Sequence, residues 1–317
     1  MFDTEDTEDT RDRTAYTFKE TGRKLSNWGR WGDDDERGTL NFVTPDTVKQ
    51  AFEAVRTGER YELSIPVGDS GPQTGWMRRI NPVHTMTVTP HDFTAAEGLV
   101  ISDDFIAMPL QSGTQLDGLT HVGYDGAFYN GVPADAVTPA RGATRNAIDA
   151  TLPGFAGRGV LLDVAALDGG AWLEPGRAIT VADLENAEKA AGTRLGRGDA
   201  LLVRTGWVHK GLTEGWEKWL DAEPGLAPEC AAWIHDRELA MVAADNWGVE
   251  VQPTTGGLIP LHAVLIRDMG MMLGEMWNLD ALAAACRADH TWDFFLTATA
   301  LRITGGVGSP VSPVAIR

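Results

Sequence analysis

Cysteine is nearly absent: Cys230 and Cys286 are the only two in 317 residues, and they form no CxxC pair. That excludes a disulfide framework and a thiolate-rich structural zinc site, and it fits a reduced, cytoplasmic compartment. No run of about 18 apolar residues occurs, so no membrane span is expected. Basic residues are also scarce. Lys and Arg number 27 against 45 Asp and Glu, a formal net charge of −18. A surface of that sign repels phosphate backbones, and no basic patch offsets it, so no nucleic-acid partner is expected. The opening MFDTEDTEDTRDR has neither the basic start nor the apolar segment of a signal peptide. Residues 3–13 contain no aliphatic side chain. They are read as part of a disordered acidic tail over 1–20, ahead of one domain over 21–317.

What is present reads as an α/β chain with a mixed sheet. Thr44 and Pro45 begin a helix whose apolar positions Val48, Ala51, Phe52 and Val55 recur at helical spacing, with Gly58 as its stop. The alternation in YELSIPV predicts a strand with Tyr61, Leu63, Ile65 and Val67 on one face. Short apolar runs then alternate with helical segments. GVLLDVAA, ALLVRTG, LAMVAAD and MMLGEM read as buried strands. Helices are predicted in TVADLENAEKAAG, capped by Thr180 and stopped by Gly192, in PECAAWIHDR and in PLHAVLIRDMG. TWDFFLTATALRI predicts a long strand. The glycine-rich TGGVGSPVSP is no phosphate loop, because no GK[ST] follows it.

The chain has 7 histidines, yet one short stretch, QSGTQLDGLTH, gathers Gln111, Gln115, Asp117 and His121. Gly113 and Gly118 argue against a helix, and the step from Gln115 to Asp117 suits neighbours on one face of a strand. Asp117 offers an anionic oxygen and His121 an imidazole, both usable as metal ligands. Their partners should lie on strand ends or helix starts elsewhere. His262 stands near the start of a short apolar helix, and Glu275 sits inside an apolar strand. A carboxylate in such a strand needs a counter-charge, and a divalent cation is a good one. Each residue also has a plainer reading: an Asx turn for Asp117, hydrogen-bonded core histidines for His121 and His262, a salt bridge for Glu275. Trp28, Trp31, Tyr124, Phe128 and Tyr129 are candidate walls for a planar substrate, with core packing as the alternative. His84 is a looser site candidate. His91, His209, His235 and His290 are read as structural or solvent-facing. Ser70, between Asp69 and Gly71, lacks the G-x-S-x-G elbow of a serine hydrolase.

These residues resemble the cyclase family of metal-dependent hydrolases, which includes bacterial kynurenine formamidase and isatin hydrolase. The family signature is H-x-G-T-H-x-D-x-P-x-H. Gly113, Thr114, Asp117 and His121 fall in register with it, while Gln111 and Gln115 stand at its first two histidines and Leu119 at its proline. Downstream, His262, Glu275 and the segment WNLDAL match the family's second cluster, and the ending GGVGSPVSPVAI is similar to family C-termini. The resemblance runs from about Asn27 to the end. It implies a swivelling β/β/α architecture, a homodimer or homotetramer, and hydrolysis of a C–N amide or lactone in a small-molecule substrate. It implies one divalent ion, manganese or zinc, held by Asp117, His262 and Glu275, with His121 as general acid/base. A second ion would lose both imidazoles, because an amide oxygen is a poor, neutral ligand. Gln111 and Gln115 are then left to complete the shell or to bind substrate or water. A metal-dependent cyclase or dehydratase, or a non-catalytic binding protein of the same fold, are the competing expectations.

Overall fold

The structure, a computed structural model, describes residues 18–317. Helix α1 (Phe18–Leu25) opens it, so the tail boundary expected at residue 20 falls inside a helix; residues 1–17 lie outside the described residues. Helix α2 covers Pro45–Ala51, with the Thr44 side chain accepting from the Thr47 amide. A 3-10 turn over Phe52–Ala54 ends it, short of the expected stop at Gly58.

Two pairs of two-residue strands stand apart, Val137–Thr138 with Gly142–Ala143 and Ala178–Ile179 with Gly225–Leu226. Eleven strands form the main sheet and a two-stranded arm. In chain order they are β1 (Arg60–Glu62), β2 (Val83–Val88), β3 (Asp103–Ala107), β4 (Gln115–Asp117), β5 (Phe155–Asp163), β6 (Ala200–Arg204), β7 (Met241–Ala244), β8 (Met272–Glu275), β9 (Asp293–Ala298), β10 (Gly308–Pro310) and β11 (Val314–Ile316). Nine of them form one mixed sheet in the order β1-β11-β9-β5-β6-β7-β8-β4-β10. Its centre, β5 to β8, is parallel. Strands β4 and β10 extend it antiparallel on one side, and β9, β11 and β1 on the other. After a single α-helical turn over Val164–Leu167, the further helices in chain order are α3 (Val181–Ala191), α4 (Trp207–Glu214), α5 (Cys230–Asp236), α6 (Pro260–His262) and α7 (Asp280–Asp289). Helix α6 runs on as a π-helical turn over Ala263–Asp268. Among the described residues no helix is long and apolar enough to cross a membrane.

The central strands are apolar on both faces because both faces are covered. Val160, Leu162, Leu201, Val203, Val242 and Ala244 pack with Leu184, Ala231, Ile234 and Val264 of the helical layer. The alternate residues Leu161, Ala200, Leu202, Met241 and Ala243 pack with Leu282, Cys286, Phe294 and Leu296 on the other side. Two expected strands are shorter than their alternation. β1 stops at Glu62, although Leu63 and Ile65 are buried beyond it. There the backbone leaves the ladder to bond Pro313 and the Thr114 hydroxyl. β9 stops at Ala298. Strands β2 and β3 form a separate two-stranded arm, exposed on both faces.

Helix α3 gives a local test of the fold's electrostatics. The Thr180 hydroxyl accepts from the Asp183 amide, and Asp183 accepts from the Thr180 amide at 2.7 Å, a reciprocal capping box. Arg177 adds two bonds of 3.0 Å to the same carboxylate. The Arg177 guanidinium is the main reason that Asp183 is held down to about 2 against its partial burial. A folded-state value below the unfolded one means stability that is present above about pH 4 and lost as the pH falls towards about 2. Asp183→Asn is therefore expected to lower the unfolding free energy by about 1–2 kcal/mol at pH 7, after allowance for solvent exposure. In urea titrations the gap between variant and parent should narrow below about pH 4. A gap independent of pH would contradict this account.

Candidate metal centre

Strand register brings the first ligands together. Gln115 lies opposite Glu275 and Asp117 opposite Leu273 in the β4–β8 ladder, so Gln115, Asp117 and Glu275 share one face. Glu275 is the last residue of parallel strand β8, and α6 carries His262 to the same place. Sites at the carboxyl ends of parallel strands are a general property of such sheets. One ligand atom from each of Asp117, His262 and Glu275 lies within 4.8 Å of the others, and all three residues are buried. His262 Nε2 is 3.0 Å from Glu275 Oε1 and 4.0 Å from Asp117 Oδ2.

The cluster's chemistry fits a cation. Asp117 is wholly buried, and its Oδ2 has no hydrogen-bond partner. The Gln115 amide donates to Glu275 and, at 3.4 Å, to Asp117 Oδ1, while its own oxygen Oε1 is also unpartnered. Burial, and then the Glu275 charge, push Asp117 well above the usual carboxylate range. Burial opposes a charge on His262, but its bonds to Glu250 and Glu275 outweigh that and raise it well above its ordinary value. Without an ion the cluster is therefore held together by protons, which a divalent ion would displace. Two carboxylates and one imidazole are donors that suit zinc or manganese.

Two further carboxylates belong to the centre. Glu250, fully buried, accepts from His262 Nδ1 at 2.5 Å and from the backbone amides of Leu261 and His262. One side chain thus caps the start of α6 and turns the His262 ring so that Nε2 faces Asp117 and Glu275. This carboxylate–imidazole arrangement is the usual support of a metal-ligating histidine. Glu223 accepts from the Trp247 amide at 2.6 Å, and its Oε1 has no partner. Burial is the main reason it stands well above the carboxylate range. Gly248 lies close by: a Cβ there would sit 3.0 Å from Glu223 Oε1 and 3.9 Å from His262 Cε1. Neither glutamate was singled out from sequence. The signal was there for Glu250, a lone carboxylate in the apolar run WGVEV, by the argument applied to Glu275.

His121 Nε2 lies 3.7 Å from Asp117 Oδ1. Burial, then the Arg79 charge, hold its imidazole down to about 3, so the ring is a neutral base at pH 7. Gln111 lies next to Gly308, the residue that faces Asp117 across the β4–β10 ladder, and its Nε2 is buried without a partner. Packing partners are seen for the aromatics expected to line a substrate pocket; Tyr129 is buried and donates to Asp35 at 2.9 Å. Trp28 donates its indole N–H to the Arg267 carbonyl at 2.7 Å, and Trp31 meets Phe42 edge-on. Tyr124 donates to Asp268 and stacks edge-on with Phe18, and Phe128 packs against Gly123. None of their hydrogen bonds or ring contacts goes to Asp117, His262 or Glu275. His84, His209 and His235 pair with Asp104, Asp280 and Asp236, away from the cluster. Ser70 bonds Asp69 and no histidine. Burial pushes both cysteine thiols up to about 12, so they are inert.

Fold and site together define a mixed α/β protein that gathers a candidate divalent-cation ligand set beside the carboxyl end of strand β8. Residues 61–251 match the family model described as "Putative cyclase", and the chain belongs to that cyclase family. It is 40% identical to a crystal structure described as a novel cyclase, with a TM-score of 0.86 over 92% of this chain and 100% of that one. Isatin hydrolase A from Labrenzia aggregata is 20% identical, with a TM-score of 0.61 over 84% of this chain and 94% of its own. A protein from Bacillus stearothermophilus described as a predicted metal-dependent hydrolase is 19% identical, with a TM-score of 0.54 over 81% of this chain and 97% of its own. The last two likenesses concern the fold. No curated protein matches the sequence.

Proposed function

We propose that this protein is a metal-dependent hydrolase that uses an activated water to open a C–N amide, cyclic or formyl, or a lactone. The observation that carries the reading is the convergence of Asp117, His262 and Glu275 within 4.8 Å, all buried. When bound there, a divalent ion supplies Lewis acidity, lowering the pKa of water and polarising a carbonyl. The protein's own groups do the rest. Glu250 fixes the His262 ring, and the Gln115 amide spans the two carboxylates and keeps them apart. His121, neutral and half-buried beside Asp117, takes the proton from the attacking water and returns it to the leaving nitrogen or oxygen.

The test is turnover of a panel of cyclic amides, N-formyl arylamines and lactones by protein loaded with manganese or zinc, run in heavy-oxygen water. Hydrolysis places one heavy oxygen in the new carboxylate. Turnover without that label would mean a lyase or cyclase. Absence of both turnover and a tightly held ion would mean a binding protein and overturn the proposal.

A further inference from the structure

The β2–β3 arm stands clear of the core. No residue from Val83 to Ala107 is buried. Of the 17 large apolar side chains exposed among the described residues, 11 lie between Trp76 and Ile106. They occupy both faces of the ribbon, for the register sets Val83 and Phe105 on one face and Met86 and Ile106 on the other. A lone two-stranded ribbon is marginal in water, and an apolar patch of this extent marks an interaction site. The rest of the apolar surface gathers at two ends. Trp76, Met77 and Ile80 form the root, and Phe93, Leu99 and Ile101 the tip. The root is fixed against the metal centre. Trp76 meets Trp247 edge-on at 5.0 Å, the Trp247 amide bonds Glu223, and Gln73 donates to the Ser112 carbonyl at 3.1 Å.

Whatever covers the arm must match it in chemistry and size. Residues 1–17, the chain outside the described residues, have no aliphatic side chain over 3–13 and do not match it. A bilayer is disfavoured too. Interfacial segments rely on Lys and Arg, and residues 83–107 hold neither, but carry Asp92, Glu97, Asp103 and Asp104. A second copy of this chain fits. Two arms laid antiparallel across a two-fold axis put each tip on the other's root, so one self-complementary patch covers both ends at once. Its 11 side chains, each about half exposed, amount to roughly the 800 Å² a side that a specific interface buries. We propose that the arm is a homodimerisation surface, tip against root, and that each tip comes to lie beside Trp247 at the rim of the other copy's metal centre. Association of this kind needs neither metal nor turnover, so it stands or falls apart from the hydrolase reading.

Sedimentation velocity on the full metal-free chain is the test. The parent is expected to be a dimer, or a larger even assembly, that persists down to about 1 µM. Phe93→Asp/Leu99→Asp should run at half the parent's mass, its dissociation constant raised by at least about a hundredfold. Both side chains are exposed, so circular dichroism and the unfolding transition should not change. The tip-to-root geometry is read separately with Leu99→Cys/Ile80→Cys. Mild oxidation should link two copies of the double variant and far fewer of either single one; Cys230 and Cys286 are buried and do not compete. A parent that is monomeric at about 100 µM overturns the inference. So does an assembly indifferent to the two aspartates, or a double-cysteine variant that links no better than the single ones. A parent that stays monomeric in solution and sediments with lipid vesicles would make the arm a membrane element instead.

Discussion

Asparagine at position 117 is expected to give a protein that holds no tight divalent ion and yet, metal-free, unfolds later than the parent. Asp117 is wholly buried, faces Glu275, and leaves one oxygen without a partner. Its raised pKa means that folding without metal costs free energy at any pH above the ordinary carboxylate range. The cost is absent below about pH 4 and grows as the pH rises, because the unfolded carboxyl ionises freely while the buried one does not. An asparagine of the same shape removes that cost and still accepts the Gln115 amide while donating to Glu275. Metal-free Asp117→Asn should thus gain about 1–3 kcal/mol at pH 7. Metal reverses the order. At about a thousandfold excess over its Kd, an ion adds roughly 4 kcal/mol to the parent and little to the variant. Activity in the variant should fall by more than about a hundredfold. Thermal unfolding with and without manganese reads the crossing directly. A variant that binds the ion as the parent does, or that is less stable in both states, would remove Asp117 from the centre. Parent affinity for the ion should also rise with pH, since the ligands must release protons to bind it.

Glu250→Gln should weaken the ion by about tenfold to a hundredfold although residue 250 makes no contact with it. The glutamate receives three donors: His262 Nδ1 and the amides of Leu261 and His262. A glutamine keeps one acceptor oxygen and turns its NH2 towards a remaining donor. The imidazole loses its anionic partner, so Nε2 becomes a weaker electron donor and the ring a looser one. The start of α6 loses part of its cap as well, costing about 1–2 kcal/mol of stability. The diagnostic is the ratio between the two effects. Metal affinity should drop while circular dichroism and the unfolding transition still report a folded protein. A variant with normal affinity and reduced stability would make Glu250 a helix cap only.

The strongest agreement between sequence and structure lies in the central strands and in α3. Continuous apolar runs such as GVLLD and ALLVR became parallel strands buried on both faces, and the Thr180 cap and Gly192 stop bound α3 as expected. Such signals are local. They depend on which residues follow one another and on how a backbone turns. Trp28, Trp31, Tyr124 and Phe128 follow or precede the site in sequence, but nearness along the chain says nothing about which layer a ring enters. Tyr124 packs on Phe18 of α1, and Trp28 bonds the π-helical turn.

By itself, the sequence determined the α/β alternation, the caps, and the nomination of Asp117, His262 and Glu275 through residue type and family resemblance. Only the tertiary structure decided that Gln115 lies between the two carboxylates and that Glu250 stands behind His262. The reason is geometric. A period of two tells which side chains of one strand share a face, but strand order and register set which distant strand that face meets.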